Sequence, residues 1–319
     1  MGALKLRNAP QGRVSYNVSS AILSKHLMKS LSFAFLAAVS LTWISCEKEI
    51  GPIINFDVPV ASVDTTYMAN PEAATPRRIL IEEFTGVTCT NCPAGHTKIK
   101  NMIEANAGRI SAIGYQPFNI GQANPAKETR TDNRTQKGTD LGKSFGGVPY
   151  LPCAAFNRVP EGGELLRART QWDAMLANRL KETSPLNMTM TSAYDSTTRE
   201  LTVTVRVAYT ADVSTKHNLT VALTEDHIID AQEELIAGGQ IITHEDYDHK
   251  HVFRDFLSSV TGEAVLDAMA VKTAGRVYER RFTAKLDPKW NAANCTVTAF
   301  VHNQDGADRA VLQVVDKSL

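Results

Sequence analysis

Two periods of hydrophobic residues divide the chain. From Arg78 to Glu182 short apolar runs alternate with amphipathic stretches, and beyond Pro185 apolar residues fall at every second position. ILIEEF (Ile79–Phe84) reads as a short strand. After a turn, Pro93–Asn106 reads as a helix with Ile99, Met102 and Ile103 on one face and Gly108 just past its end. RISAIGY (Arg109–Tyr115) gives a second strand. The polar stretch Gln116–Lys143 predicts helix in its later half, weakened by Gly138 and Gly142. GGVPYLPCAAFNR (Gly146–Arg158) is a turn leading into a strand. Glu164–Glu182 then predicts a helix, carrying Leu165, Trp172, Met175, Leu176 and Leu180 near helical spacing. Strands alternating with helices indicate a layered α/β domain over 78–184 with parallel strand pairs.

In the second half Leu201, Val203, Val205, Val207 and Tyr209 alternate with Thr202, Thr204, Arg206 and Ala208. Similar strands are expected at Leu219–Thr224, Val277–Leu286, Cys295–Val301 and Ala310–Val315. Residues 185–319 therefore read as an all-β, immunoglobulin-like antiparallel sandwich.

The N-terminal pattern is of another kind. Met28–Cys46 has Lys29 at its start, an uncharged apolar run from Leu31 to Ile44, and Ser45 just before Cys46. The run is short for a bilayer span and suits a signal-peptide core over 28–45. It resembles a lipoprotein signal, in which the cysteine thiol is acylated and becomes the mature N-terminus, although Trp43 stands where that pattern usually has leucine. An uncleaved anchor or a buried helix is the alternative. Residues 1–27 read as a mis-assigned start or an extended n-region. Residues 46–77 form a lipidated tether containing Pro52, Pro59, Pro71 and Pro76, with one short strand near Ile53–Val60. The 34 basic and 34 acidic residues cancel, so no basic field exists to hold a phosphate backbone, and nucleic acid is not an expected partner.

Chemistry concentrates in Cys89-Thr90-Asn91-Cys92-Pro93. Two cysteines at this spacing close a small disulfide ring, and a helix N-terminus favours a thiolate there. Cys89 is then the nucleophile and Cys92 the resolving thiol, with Pro93 tolerated in the first helical turn. A static disulfide is the competing reading. A four-cysteine zinc site would need a second close cysteine pair, and none exists; Cys89, Cys92 and His96 with Cys153 as fourth ligand form the remaining metal set, which is disfavoured. No cofactor is expected. Cys153 reads as a buried strand cysteine or a third redox thiol, and a Cys153–Cys295 bridge stays open. HEDYDHKH (His244–His251) reads as a solvated connection with a metal loop as the alternative, and Asn303–Asp308 as a hairpin turn.

The strand–dithiol–helix order resembles thioredoxin-like proteins. That resemblance places a cis proline at Pro149, after Val148, and a buried proton-shuttling acid at Glu83, six residues before Cys89; an ordinary surface or paired acid is the alternative for Glu83. EEFTGVTCTNCPAGH (Glu82–His96), GGVPYLPCAAFNR, DHKHVFRDFL (Asp248–Leu257) and VTAFVHNQDGADRAVLQ (Val297–Gln313) together resemble the Omp28-related outer membrane proteins, lipoproteins of Bacteroidetes-type bacteria. The resemblance implies a thioredoxin-like domain joined to a β-sandwich, at the outer membrane of the cell envelope. Two functions are expected. The first is a thiol–disulfide oxidoreductase acting on envelope or surface proteins and tethered through lipid on Cys46. The second is a non-catalytic binding lipoprotein with a structural C-x-x-C bond.

Overall fold

A computed structural model describes residues 64–304 and 307–319, and these are mostly β-sheet. Residues 1–27, the signal segment, Cys46 and the strand expected near Ile53–Val60 lie outside the described residues. In chain order the first half holds β1 (Asp64–Met68), β2 (Ile79–Phe84), α1 (Cys92–Ala105), β3 (Ile110–Tyr115), α2 (Gln136–Ser144), β4 (Cys153–Phe156), β5 (Arg167–Ala168) and α3 (Trp172–Arg179). The second half adds β6 (Leu186–Asp195), β7 (Glu200–Tyr209), β8 (His217–Glu225), β9 (Ile228–Leu235), β10 (Ile241–His249) and β11 (Val252–Phe256). It ends with β12 (Glu263–Val265), β13 (Arg276–Lys285), β14 (Cys295–Asn303) and β15 (Val311–Ser318).

Alternation explains how these strands share cores. Along β2, Ile79 and Ile81 face α1 and α3, where Ile99, Met102, Trp172 and Met175 bury them. Leu80 and Phe84 point to the opposite face, into a cluster with Tyr115, Leu141, Phe253 and Phe300. Burial on both faces is the mark of a central strand, and β2 pairs parallel with β3 and antiparallel with β4. Helix α2 reaches this second face because Gly142 is bare: a Cβ there would lie 2.8 Å from Val148 Cγ2. The glycines that weaken its helical signal are what allow its close approach.

One nine-stranded sheet runs in the order β15-β14-β8-β11-β3-β2-β4-β5, with β12 beside β8. It crosses the expected boundary at 184/185 through β3 and β11, where the Gly114 N–H donates to the His251 carbonyl at 2.8 Å. A four-stranded sheet, β1-β13-β7-β6, packs on the C-terminal part of it. Leu201, Val203, Val205 and Val207 from one sheet meet Leu219, Val221, Val297 and Ala299 from the other.

Several expectations are corrected. The segment read as tether already holds β1, paired with β13, and Asn187 accepts the Thr75 N–H at 2.9 Å. Helix at Glu164–Glu182 shrinks to α3, because Arg167 and Ala168 pair with β4 and the Trp172 indole donates to the Arg167 carbonyl. The solvated connection His244–His251 is largely strand β10, hidden because a ribbon exposed on one face needs few apolar residues.

Candidate functional site

The loop between β2 and α1 is tightly seated: a Cβ on Gly86 would meet the Gln122 carbonyl oxygen at 2.3 Å. Within it the Cys89 N–H donates to the Gly86 carbonyl and the Cys92 N–H to the Cys89 carbonyl. Cys89 and Cys92 are joined in a disulfide with Cα atoms 5.3 Å apart. Cys92 opens α1 with Pro93 in the first turn, so Cys89 sits in the turn before the helix.

Both cysteines are 0% exposed. They sit in the apolar cluster that holds Ala123, Leu141, Val148 and Leu151, while the loop's backbone carbonyls are covered from the other half of the chain. In β9, the Glu233 N–H donates to the Val87 carbonyl and the Leu235 N–H to the Thr90 carbonyl, each at 2.9 Å. The Gln232 carboxamide nitrogen lies within 3.3 Å of the Gly86, Val87 and Cys89 carbonyls. No sequence pattern near the C-x-x-C pair announces this cover, because its residues lie about 140 positions downstream.

Glu82 and Glu83 both turn inward, on opposite faces of β2, so neither is the surface acid that sequence leaves open. Glu82 meets Arg158 through two bonds of 2.6 and 2.7 Å, and Arg158 stacks between Phe145 and Phe300. Glu83 faces α1, where a Cβ on Gly95 would lie 2.8 Å from its Oε1, and that oxygen has no hydrogen-bond partner. Burial pushes its pKa well above the ordinary carboxylate value. His96 Nε2 lies 3.8 Å from Glu83 Oε2. Burial first, then the neighbouring His249 and His251, lowers the imidazole to about 3. A neutral ring beside a carboxyl that favours its protonated form makes this a contact and not an ion pair at neutral pH. His96 instead bonds Thr85 Oγ1 at 2.7 Å and the Tyr247 hydroxyl at 2.8 Å.

These groups border a cavity of about 510 Å³ between α1, β3 and the end of β10, with Ile99, Ile103 and Ile113 as apolar wall and Lys100 and Lys250 among its charged lining residues. Sequence reading missed Tyr247 and Gln232; an alternation test over 241–249 was the signal available for the first.

The cis proline is Pro152, after Leu151, and not Pro149. VPYLPC offers two prolines three apart, and β4 starts at Cys153, so the residue directly before the strand is the second. Pro149 is exposed, beside Tyr150. A Cβ on Gly95 would lie 3.3 Å from Pro152 Cγ, which puts Pro152 and Glu83 against the same point of α1. Cys153 and Cys295 are free and buried, so no bridge joins them. Burial first, with the Glu83 carboxyl second, pushes the Cys153 thiol up to about 12, which keeps it protonated and a poor nucleophile.

Comparison with known proteins gives a family. A family model described as outer membrane protein Omp28 matches residues 143–319. Among solved structures, a protein from Agrobacterium tumefaciens aligns at 15% identity over 76% of this chain and 95% of its own, with a TM-score of 0.41. A domain of the outer membrane lipoprotein Omp28 from Porphyromonas gingivalis aligns at 18% identity, over 43% of this chain and 88% of its own, with a TM-score of 0.29. A FixG-related protein from Vibrio parahaemolyticus aligns at 16% identity over 41% and 94%, with a TM-score of 0.18. No curated protein matches the chain.

Proposed function

Because the chain belongs to the outer membrane protein Omp28 family, we propose that it is a lipid-anchored binding protein of the cell envelope whose Cys89–Cys92 bond is a structural staple. It is a protein of the outer membrane. The observation that carries the staple reading is the complete burial of both cysteines in the apolar cluster with Val148 and Leu151. Thiol–disulfide exchange proceeds by in-line attack of a thiolate on a sulfur, and a sulfur walled off by backbone and side chain gives that thiolate no approach. Lipid on Cys46, the first residue after the signal segment, would supply the membrane attachment. The cavity beside α1 is the surface we assign to binding, since polar groups from α1 and β10 and the buried Glu83 meet an apolar wall there.

Measuring the reduction potential of the Cys89/Cys92 couple tests this. A value below about −300 mV, with no insulin-reductase or thiol-oxidase activity, is expected of a structural bond. A value in the range of known exchangers, with activity lost in Cys89→Ser, overturns it.

One arrangement favours the alternative, thiol–disulfide exchange. The order β3-β2-β4-β5, with β2 and β3 parallel and the other two antiparallel, beside α1 and α3, resembles that of a thioredoxin-like domain. In this reading residues 78–184 are that domain, Glu83 is a proton relay under the dithiol, and 185–319 form the sandwich. The same measurement separates the two.

A further inference from the structure

Strands β9 and β10 pair with each other and with no other strand among the described residues. A two-stranded ribbon is marginally stable alone, so its position depends on what it touches. Its inner strand lies against the loop carrying the disulfide. The two N–H groups given to Val87 and Thr90 come from Glu233 and Leu235, two residues apart. That is the spacing at which an extended chain presents donors to one side. Asp230 accepts the N–H groups of Arg130 and Thr131 at 2.8 and 2.7 Å, and Tyr247 bonds His96. At the ribbon's tip Leu235 and Ile241 stand opposite each other, 45% and 56% exposed.

We propose that the β9–β10 ribbon is a displaceable strap, and that the Gly86–Cys92 loop beneath it is a docking edge for an extended polypeptide, filled in cis by β9. Lifting the strap frees the Val87 and Thr90 carbonyls for a partner's backbone N–H groups and loosens the loop that carries the disulfide in the same movement. Local opening of this kind is drawn from the less stable parts of a fold, and the hydrogen bonds holding the ribbon set its cost. This goes beyond the staple reading, which describes the closed form, and the two fail separately.

The test follows reduction of the full-length protein by dithiothreitol. One dithiothreitol thiolate attacks a cystine sulfur and displaces the other as thiolate; its second thiol then closes a cyclic disulfide. Dithiothreitol loses two electrons, and Cys89 and Cys92 gain them and take up two protons. Gln232→Ala removes the carboxamide that reaches three loop carbonyls, so reduction should quicken about tenfold with circular dichroism unchanged. An excess of the synthetic peptide IIDAQEELI, the sequence of residues 228–236, should slow reduction of that variant again by refilling the edge. In wild type, amides of 228–249 should exchange hydrogen faster than those of β8 and β14, a readout that needs no variant to fold. Equal reduction rates for Gln232→Ala and wild type, or ribbon amides as protected as β8, overturn the strap. A peptide without effect overturns the docking edge. Rapid reduction of wild type itself overturns the staple reading instead.

Discussion

Helix α1 meets two different surroundings. At its N-terminus a disulfide is fully buried in an apolar cluster, in a loop whose backbone is bonded by β9. Along its flank, His96 and the Glu83 carboxyl border an open cavity, and Tyr247 reaches in from β10. The reactive-looking motif is the sealed place, and the open place takes Glu83 and His96 from either side of that motif and Tyr247 from β10. Residue type marks where chemistry was stored in the sequence; which surface can meet a partner is decided by a ribbon from the other half of the chain.

The largest expected effect contrasts the two partners of the flank. For His96 the folded value lies below the unfolded one, so its stabilisation is present above pH 6.5 and is lost as pH falls toward about 3. For Glu83 the folded value is raised, so its contribution is present below the unfolded carboxylate pKa and is lost as pH rises through the folded one. Urea titrations at several pH values should show His96→Gln losing roughly 2–4 kcal/mol less than wild type on acidification. Glu83→Gln should gain on wild type as pH rises. Parallel pH profiles for wild type and both variants would erase the contrast.

At the sealed end, replacing both cysteines in Cys89→Ser/Cys92→Ser should cost about 2 kcal/mol in urea unfolding, from the small loop released in the unfolded chain. The pH dependence assigned to His96 should survive in that variant. Tyr247→Phe, which takes the hydroxyl from His96, should cost about 1 kcal/mol. It should also speed hydrogen exchange in β10. Lys100→Ala at the rim breaks only an exposed 3.8 Å pair with Glu104 and should change stability by less than about 0.5 kcal/mol.

The same contrast explains what could be read in advance. Strand β2 and the alternating strand β7 are legible because their periods come from burial that each strand experiences along its own length. The disulfide is legible because both partners lie within one turn of chain. The cover is not, since Gln232 and Glu233 carry no local sign that they will meet Gly86 and Val87. Nor is the join of the halves within the large sheet, where β3 and β11 meet through a parallel pairing of Val252 with Gly114. Pro149 and Pro152 are equivalent to a motif search; only the start of β4 at Cys153 separates them.

The direct test of the sealed end is a time course of dithiothreitol reduction of the folded wild-type protein, quenched by alkylation, beside a small open-chain disulfide under the same conditions. Complete burial of both cysteines predicts that the Cys89–Cys92 bond persists long after the small disulfide is consumed, and is reduced at a comparable rate only once urea unfolds the chain. Reduction of the folded protein as fast as the small disulfide would contradict it.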